Sequence, residues 1–264
     1  MLLMKIIGIS GRKQSGKNTT ANILHGIVLK KYGMIKDYNM NGDGELVVLT
    51  TNADGNEGWG EFDTTRNDPA FVEYAEHSMW PHVKLYSFAN TLKHICVELF
   101  DIPHECAWGT DEQKNQIQEH LLWENMPKAI NSRMMQKILP IDARKGWDWK
   151  EGPMTAREFM QFFGTDVMRK IHGPIWVNSC LKKIQREQSQ LAIIADVRFP
   201  NEAVAVEEAG GVLARMTRKV FEDNHSSEIA LDNYKFKHFL DNQNENIDSL
   251  MVKVKSFYHN ILED

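Results

Sequence analysis

The stretch MKIIGISGRKQSGKNT, Met4 to Thr19, decides the fold. Its first half, Met4 to Ser10, is a short apolar run of the kind that forms a buried strand. Its second half, Gly11 to Thr19, has the G-x-x-x-x-G-K spacing of a phosphate-binding loop. From Asn18 onward Ala21, Leu24, Ile27 and Val28 recur at helical spacing until Gly33 supplies a stop. Strand, glycine-rich loop and helix thus follow in the order the chemistry requires. Successive backbone N–H groups and the helix N-terminus make an anion cradle, and Lys17 adds a mobile positive charge for the outer phosphates. Gly11, Lys13, Gln14, Ser15, Gly16, Lys17, Asn18 and Thr19 are therefore the candidate phosphate-binding residues. Asn18 stands where a Ser or Thr usually holds magnesium, which leaves Thr19 as the candidate hydroxyl ligand.

The same strand-then-helix order returns twice, and such alternation predicts a parallel sheet covered by helices. Val83 to about Phe100 reads as a strand, VKLYS, followed by a helix with Leu92, Cys96 and Leu99 on one side, ended by Pro103. The third stretch begins at Thr155, where Thr155 and Glu158 form a capping box and Phe159, Phe163 and Val167 recur every four residues. After it come a helix from Trp176 to Arg186, a strand Leu191 to Ala195, and a helix Asn201 to Ala209 stopped by Gly210 and Gly211. Strands Val212 to Met216 and His238 to Leu240 precede a final amphipathic helix carrying Leu250, Val254, Phe257 and Ile261. The expected fold class is α/β, three layers around a parallel sheet of about five strands, in a single domain with core segments 1–33, 83–103 and 153–264. Two segments break the alternation and read as insertions. Residues 34–82 carry turn chemistry around Val47, Val48 and Leu49, predicting a hairpin or surface excursion; residues 104–152 predict helix with exposed connections.

Composition narrows the function. With 42% hydrophobic and 25% charged residues the chain is an ordinary globular one. A net charge of −5 without a basic block argues against direct nucleic-acid binding or attachment to anionic membranes, which need clustered Lys and Arg. The apolar N-terminal run is too short for a secretory leader or a membrane span, so a cytoplasmic protein is expected. Cys96, Cys106 and Cys180 are odd in number and form no C-x-x-C pair, which points to buried small hydrophobes rather than disulfides or a zinc site.

Three further groups could carry chemistry. Arg157, Gln161, Gly164 or Thr165, and Arg169 share one face of the Thr155 helix, where they could clamp a phosphate and approach a base, or form a solvated face. Asp196 and Arg198 emerge where a strand ends and a helix containing Glu202 begins. Ligands of open α/β sheets bind there, although the same pair could cap the helix. Arg215, Arg218 and Lys219, followed by His225-Ser-Ser-Glu228, could close over phosphates or be a solvated loop. Lys93, at the start of the second helix, could reach a phosphate or lie on the surface.

Taken together, in order and spacing, these pieces resemble the deoxynucleoside monophosphate kinases of tailed bacteriophages, a branch of the P-loop nucleoside monophosphate kinases. The resemblance rests on the phosphate loop, Ala89 to Lys93, the run Arg157 to Asp166, Trp176, Asp196-Val-Arg198 with Glu202, Arg218, and His225 to Glu228. It implies transfer of the γ-phosphoryl group of ATP, with Mg²⁺, to a deoxynucleoside 5′-monophosphate. Lys17, Asp196, Arg198 and Arg218 would be catalytic, with Thr19 and Asp196 on the metal side. Lys93, Arg157, Gln161, Gly164, Thr165, Asp166, Trp176 and Arg198 would surround the monophosphate. A homodimer is among the assemblies it allows. Rival readings are another small-molecule kinase, such as a dephospho-coenzyme A or thymidylate kinase, and a nucleotide-dependent switch.

Overall fold

The computed structural model describes residues 4–51, 54–66, 68–126, 150–218, 229–243 and 246–262. The chain starts with β1 (Lys5–Ser10), α1 (Lys17–Lys31), β2 (Asp37–Met40), β3 (Leu46–Thr51), β4 (Glu57–Glu61), α2 (Pro69–Tyr74) and β5 (Val83–Tyr86). Next come α3 (Asn90–Phe100), α4 (His104–Trp108), α5 (Asp111–Lys114), β6 (Ile117–Leu122), β7 (Pro153–Thr155) and α6 (Ala156–Gln161). It closes with α7 (Ile175–Glu187), β8 (Leu191–Val197), α8 (Pro200–Glu208), β9 (Val212–Met216), β10 (His238–Leu240) and α9 (Ile247–Phe257). These elements form two compact units, Met1–Phe88 with Val177–Asp264, and Ala89–Trp176.

In the first unit five strands lie in the order β10-β9-β1-β8-β5. Every neighbouring pair is parallel. A parallel sheet must be covered on both faces, and the burial of β1 shows why: Ile6, Ile7 and Ile9 are all nearly inaccessible. Ile7 and Ile9 join Ile23, Leu24 and Ile27 of α1 and Leu250, Val254 and Phe257 of α9 in one cluster. Each such side chain contributes ~1.5–3 kcal/mol of burial free energy. On the other face α8 packs against β1 and β9, burying Ala203 and Val206. This is the three-layer α/β architecture expected. Because all five strands point the same way, their carboxyl ends collect along one edge.

Residues 34–82 are not a surface excursion. β2, β3 and β4 form an antiparallel sheet whose alternating Tyr38, Met40, Leu46 and Val48 belong to the main core. The turn chemistry is real: Asn41 accepts hydrogen bonds from the Asp43 and Glu45 amides at the β2–β3 turn. Turn signals mark where a hairpin reverses, but they do not say what its inner face packs on.

The second unit has its own core of Cys96, Ile102, Cys106, Met154 and Phe159. The segment 104–152 is not simply helical, since β6 pairs antiparallel with β7. Residues 127–149 lie outside the described residues. The Thr155 capping box forms as expected, with the Thr155 hydroxyl accepting from the Glu158 amide at 3.1 Å and Glu158 accepting from the Thr155 amide at 3.0 Å. The helix it starts does not stay α-helical, turning into a π-helical segment from Phe162 to Met168. Among the described residues no helix is long and apolar enough to cross a membrane.

Candidate active site

The phosphate loop leaves β1 and turns through two left-handed residues, Gln14 (φ 57°) and Gly16 (φ 90°), before α1 begins at Lys17. Gly16 occupies the N-cap position without any side-chain cap, and no acidic residue lies in the first turn. The partial positive end of the α1 dipole is therefore left for a ligand. Lys17 Nζ donates to the carbonyls of Gly11 (2.8 Å) and Arg12 (2.6 Å), folding back over the loop. Ser15 is fully buried, and its hydroxyl has no hydrogen-bond partner among the described residues. Gln14 and Asn18 are exposed and Lys13 half-buried. The Thr19 hydroxyl faces Gly44 of the β2–β3 turn, where a Cβ would come within 2.3 Å of Oγ1. That neighbour arises from a segment whose packing the sequence did not reveal.

At the adjoining strand ends Asp196 lies inside β8, which runs two residues past the expected end. Its carboxylate accepts from the Ser87 hydroxyl (2.6 Å) and the Phe88 amide (3.0 Å), tying the end of β8 to that of β5. Glu202, almost fully buried, accepts from the amides of Arg198 (2.8 Å) and Phe199 (3.0 Å). It thereby fixes the backbone from which half-buried Arg198 projects. The Asp196–Arg198 pair therefore does not cap the helix: Glu202 is the capping carboxylate, and Asp196 stands at the carboxyl end of the strand.

On the opposite side of the loop, Arg215 donates to the Ser10 hydroxyl (2.9 Å) and to Asp232 (2.9 Å). Asp232 also pairs with Arg12. The two arginines, Thr217, Asp232, Phe239 and Gln243 line a cleft of about 330 Å³. Arg218 is exposed, and its amide is held by Asn242 at 3.0 Å. Lys219 and His225 to Glu228 lie outside the described residues. Asp232 and Asn242 were missed in the sequence; a polar residue two positions past β10, at a strand's carboxyl end, was the available signal for Asn242.

The second unit holds most of the expected acceptor residues. Arg157 pairs with Asp111 at 2.6 Å, while its buried Nε has no partner among the described residues. Lys93 lies over the Trp108 ring, 5.6 Å from its centroid. Gln161, Thr165 and Asp166 are exposed, and Asp166 pairs with Lys170 at 3.1 Å. Gly164 does not offer open space to a ring: a Cβ there would lie 2.7 Å from Leu92. Trp176, also buried, donates its indole N–H to the Gly164 carbonyl at 3.1 Å. The π segment changes the spacing on which a single four-residue stripe depended, so Gly164 turns inward while Thr165 stays out. All three cysteines are buried and free. Burial pushes the Cys96 thiol up to about 12 and raises those of Cys106 and Cys180, so none is a ready nucleophile.

Comparison with known proteins bears on these observations. A protein of Acanthamoeba polyphaga mimivirus, provisionally named a deoxynucleotide monophosphate kinase, is 28% identical over 166 residues, covering 56% of this chain and 69% of that protein. The deoxynucleoside-5′-monophosphate kinase of Escherichia phage T5 is 26% identical over 114 residues, covering 39% of this chain and 46% of its own. The model of the deoxynucleotide monophosphate kinase family matches residues 90–254, more than half of the 264 residues. That match begins after the phosphate loop, so loop and match are separate observations pointing to one chemistry. The chain belongs to the deoxynucleotide monophosphate kinase family.

Proposed function

We propose that the first unit binds ATP with Mg²⁺ on its phosphate loop and that the chain transfers the γ-phosphoryl group to a deoxynucleoside 5′-monophosphate. Family membership makes the chain an enzyme of phosphoryl transfer to deoxynucleoside monophosphates. The observation that carries the residue assignment is Lys17, folded onto the Gly11 and Arg12 carbonyls at an uncapped helix start, with Asp196, Arg198 and Arg218 on the same sheet edge.

An acceptor phosphate oxygen attacks the γ-phosphorus as the bond to the bridging β,γ-oxygen breaks, yielding a deoxynucleoside diphosphate and ADP. The nucleophile is already an anion, so the chain needs no covalent intermediate and acts by positioning and charge neutralisation. Loop amides hold the donor phosphates, and Lys17 exchanges the Gly11 and Arg12 carbonyls for phosphate oxygens. The loop fits such a group, since a Cβ on Gly11 would collide with Ser15 Oγ at 2.3 Å and close the cradle. Arg198 and Arg218 neutralise charge at the transferring group. Magnesium, when bound, would spread the negative charge of the β- and γ-phosphates. Asp196 is the carboxylate that would orient it or its waters, and Thr19 reaches it only by turning away from Gly44. Arg157, whose buried Nε has no partner among the described residues, Gln161, Thr165 and Lys93 bind the acceptor, whereas buried Gly164 and Trp176 shape the turn that follows Gln161.

A coupled ADP-release assay over deoxy- and ribonucleoside monophosphates, with dephospho-coenzyme A as a control acceptor and with and without Mg²⁺, tests this reading. Metal-dependent turnover with a deoxynucleotide is expected. Slow ATP hydrolysis indifferent to every acceptor would overturn it in favour of a nucleotide switch.

A further inference from the structure

Asn242 is the second residue after β10 and is 4% exposed. Its side-chain Nδ2 donates to the carbonyl of Ser15 at 2.8 Å, and its Oδ1 accepts from the amide of Arg218 at 3.0 Å. One partner is an obligate acceptor and the other an obligate donor, so the amide can sit only one way round. Its backbone is held as well. The Asn242 amide donates to Thr217 Oγ1 (3.3 Å), and that hydroxyl donates to Asp241 (2.6 Å). Lys253 then donates to the Asp241 carbonyl at 2.7 Å. The side chain also lies across Gly16, where a Cβ would come within 3.1 Å of Nδ2.

The Ser15 carbonyl and the Gly16 N–H belong to one planar trans peptide and point in opposite directions. Holding the carbonyl on one side therefore aims the N–H at the other. Ser15 and Gly16 close the phosphate loop, and Gly16, at φ 90°, has no side chain of its own to settle the orientation of that peptide. We infer that Asn242 is a positioning residue for phosphoryl transfer: its amide locks the Ser15–Gly16 peptide so that the loop presents its N–H donors to the donor nucleotide's phosphates, and it ties that loop to the backbone of Arg218. The inference rests on the loop being the donor site. An aspartate could keep the Arg218 bond but would set a carboxylate against the Ser15 carbonyl, whereas an alanine would drop both bonds.

The test uses the full chain, its Asn242→Asp and Asn242→Ala variants, and calorimetric titration of inorganic tripolyphosphate and of ATP, each with Mg²⁺ and without acceptor. Tripolyphosphate has no base, so it reads the loop alone. Asn242→Asp is expected to weaken both ligands by ~10-fold or more, as loss of an aligned donor and a new repulsion require, and Asn242→Ala to weaken them less. The acceptor KM should stay within about twofold while the donor KM rises, a split that general loosening of the fold would not produce. Unchanged tripolyphosphate affinity in both variants overturns the inference. So does failure of both to fold, or a loss shared equally by donor and acceptor constants. A wild-type chain that binds tripolyphosphate yet phosphorylates no deoxynucleotide overturns the proposed function and leaves the Asn242 result standing.

Discussion

Lys17 and His25 lie eight positions apart in the chain, the first at the start of α1 and the second within it, and their environments assign them opposite roles. Lys17 spends its charge on two loop carbonyls that a phosphate can replace. Lys17→Ala should lower kcat by ~100-fold or more while the melting temperature stays nearly constant, because it removes transition-state charge and little packing. Near-normal turnover would sink the assignment. His25 is 1% exposed, and neither ring nitrogen has a partner among the described residues. Burial pulls its pKa from 6.5 down to about 4. As the pH falls below 6.5 the unfolded chain takes up a proton that the folded chain refuses. The contribution of this group is thus fully present above pH 6.5, is lost progressively down to about pH 4, and is level below that. The full span amounts to roughly 3 kcal/mol. Denaturant unfolding between pH 7.5 and 4.5 should show a stability loss in the wild type that is clearly smaller in His25→Leu, and parallel curves for the two would refute it.

Among the elements, α1 serves both the loop and the core. Its first turn holds Lys17, the proposed phosphate-binding residue, and its middle packs against the β2–β3–β4 sheet. Gly26 marks that contact: a Cβ there would lie 2.5 Å from the Tyr38 ring. Alanine is the better helix former by ~1 kcal/mol, yet the ring is hemmed in by the core and cannot yield cheaply. Gly26→Ala should therefore destabilise the protein by ~1–3 kcal/mol, measured by chemical unfolding; a gain in stability would show that the sheet packs loosely on the helix. The Thr155 helix shows how an element departs from its own periodicity. Its capping box and the spacing of Phe159 and Phe163 were legible, but the π segment after Gln161 was not. Residues fixed by a buried indole and by Leu92, both outside that segment, leave no trace in its own sequence.

For the whole molecule, the donor and acceptor assignments make separable kinetic predictions. Arg157→Ala should mainly raise KM for the deoxynucleoside monophosphate, since a ground-state phosphate contact is lost. Arg218→Ala should lower kcat by about tenfold or more with little change in acceptor KM, because its charge acts on the transferring group. Steady-state constants for both variants decide the matter: an unchanged acceptor KM in Arg157→Ala would remove that helix from the acceptor site. By itself the sequence determined the strand–glycine loop–helix order at the N-terminal end, the strand and helix alternation, the Thr155 capping box and the family, because each is written in residues close together in the chain. Tertiary structure alone decided which side chains complete the loop. Asn242 meets Ser15 from 227 positions away, and Asp232 meets Arg12 from 220. It also decided that residues 34–82 enter the core and that Gly164 and Trp176 are buried. Periodicity reports which face of an element is apolar, but the identity of what covers that face depends on contacts formed only when distant segments are brought together.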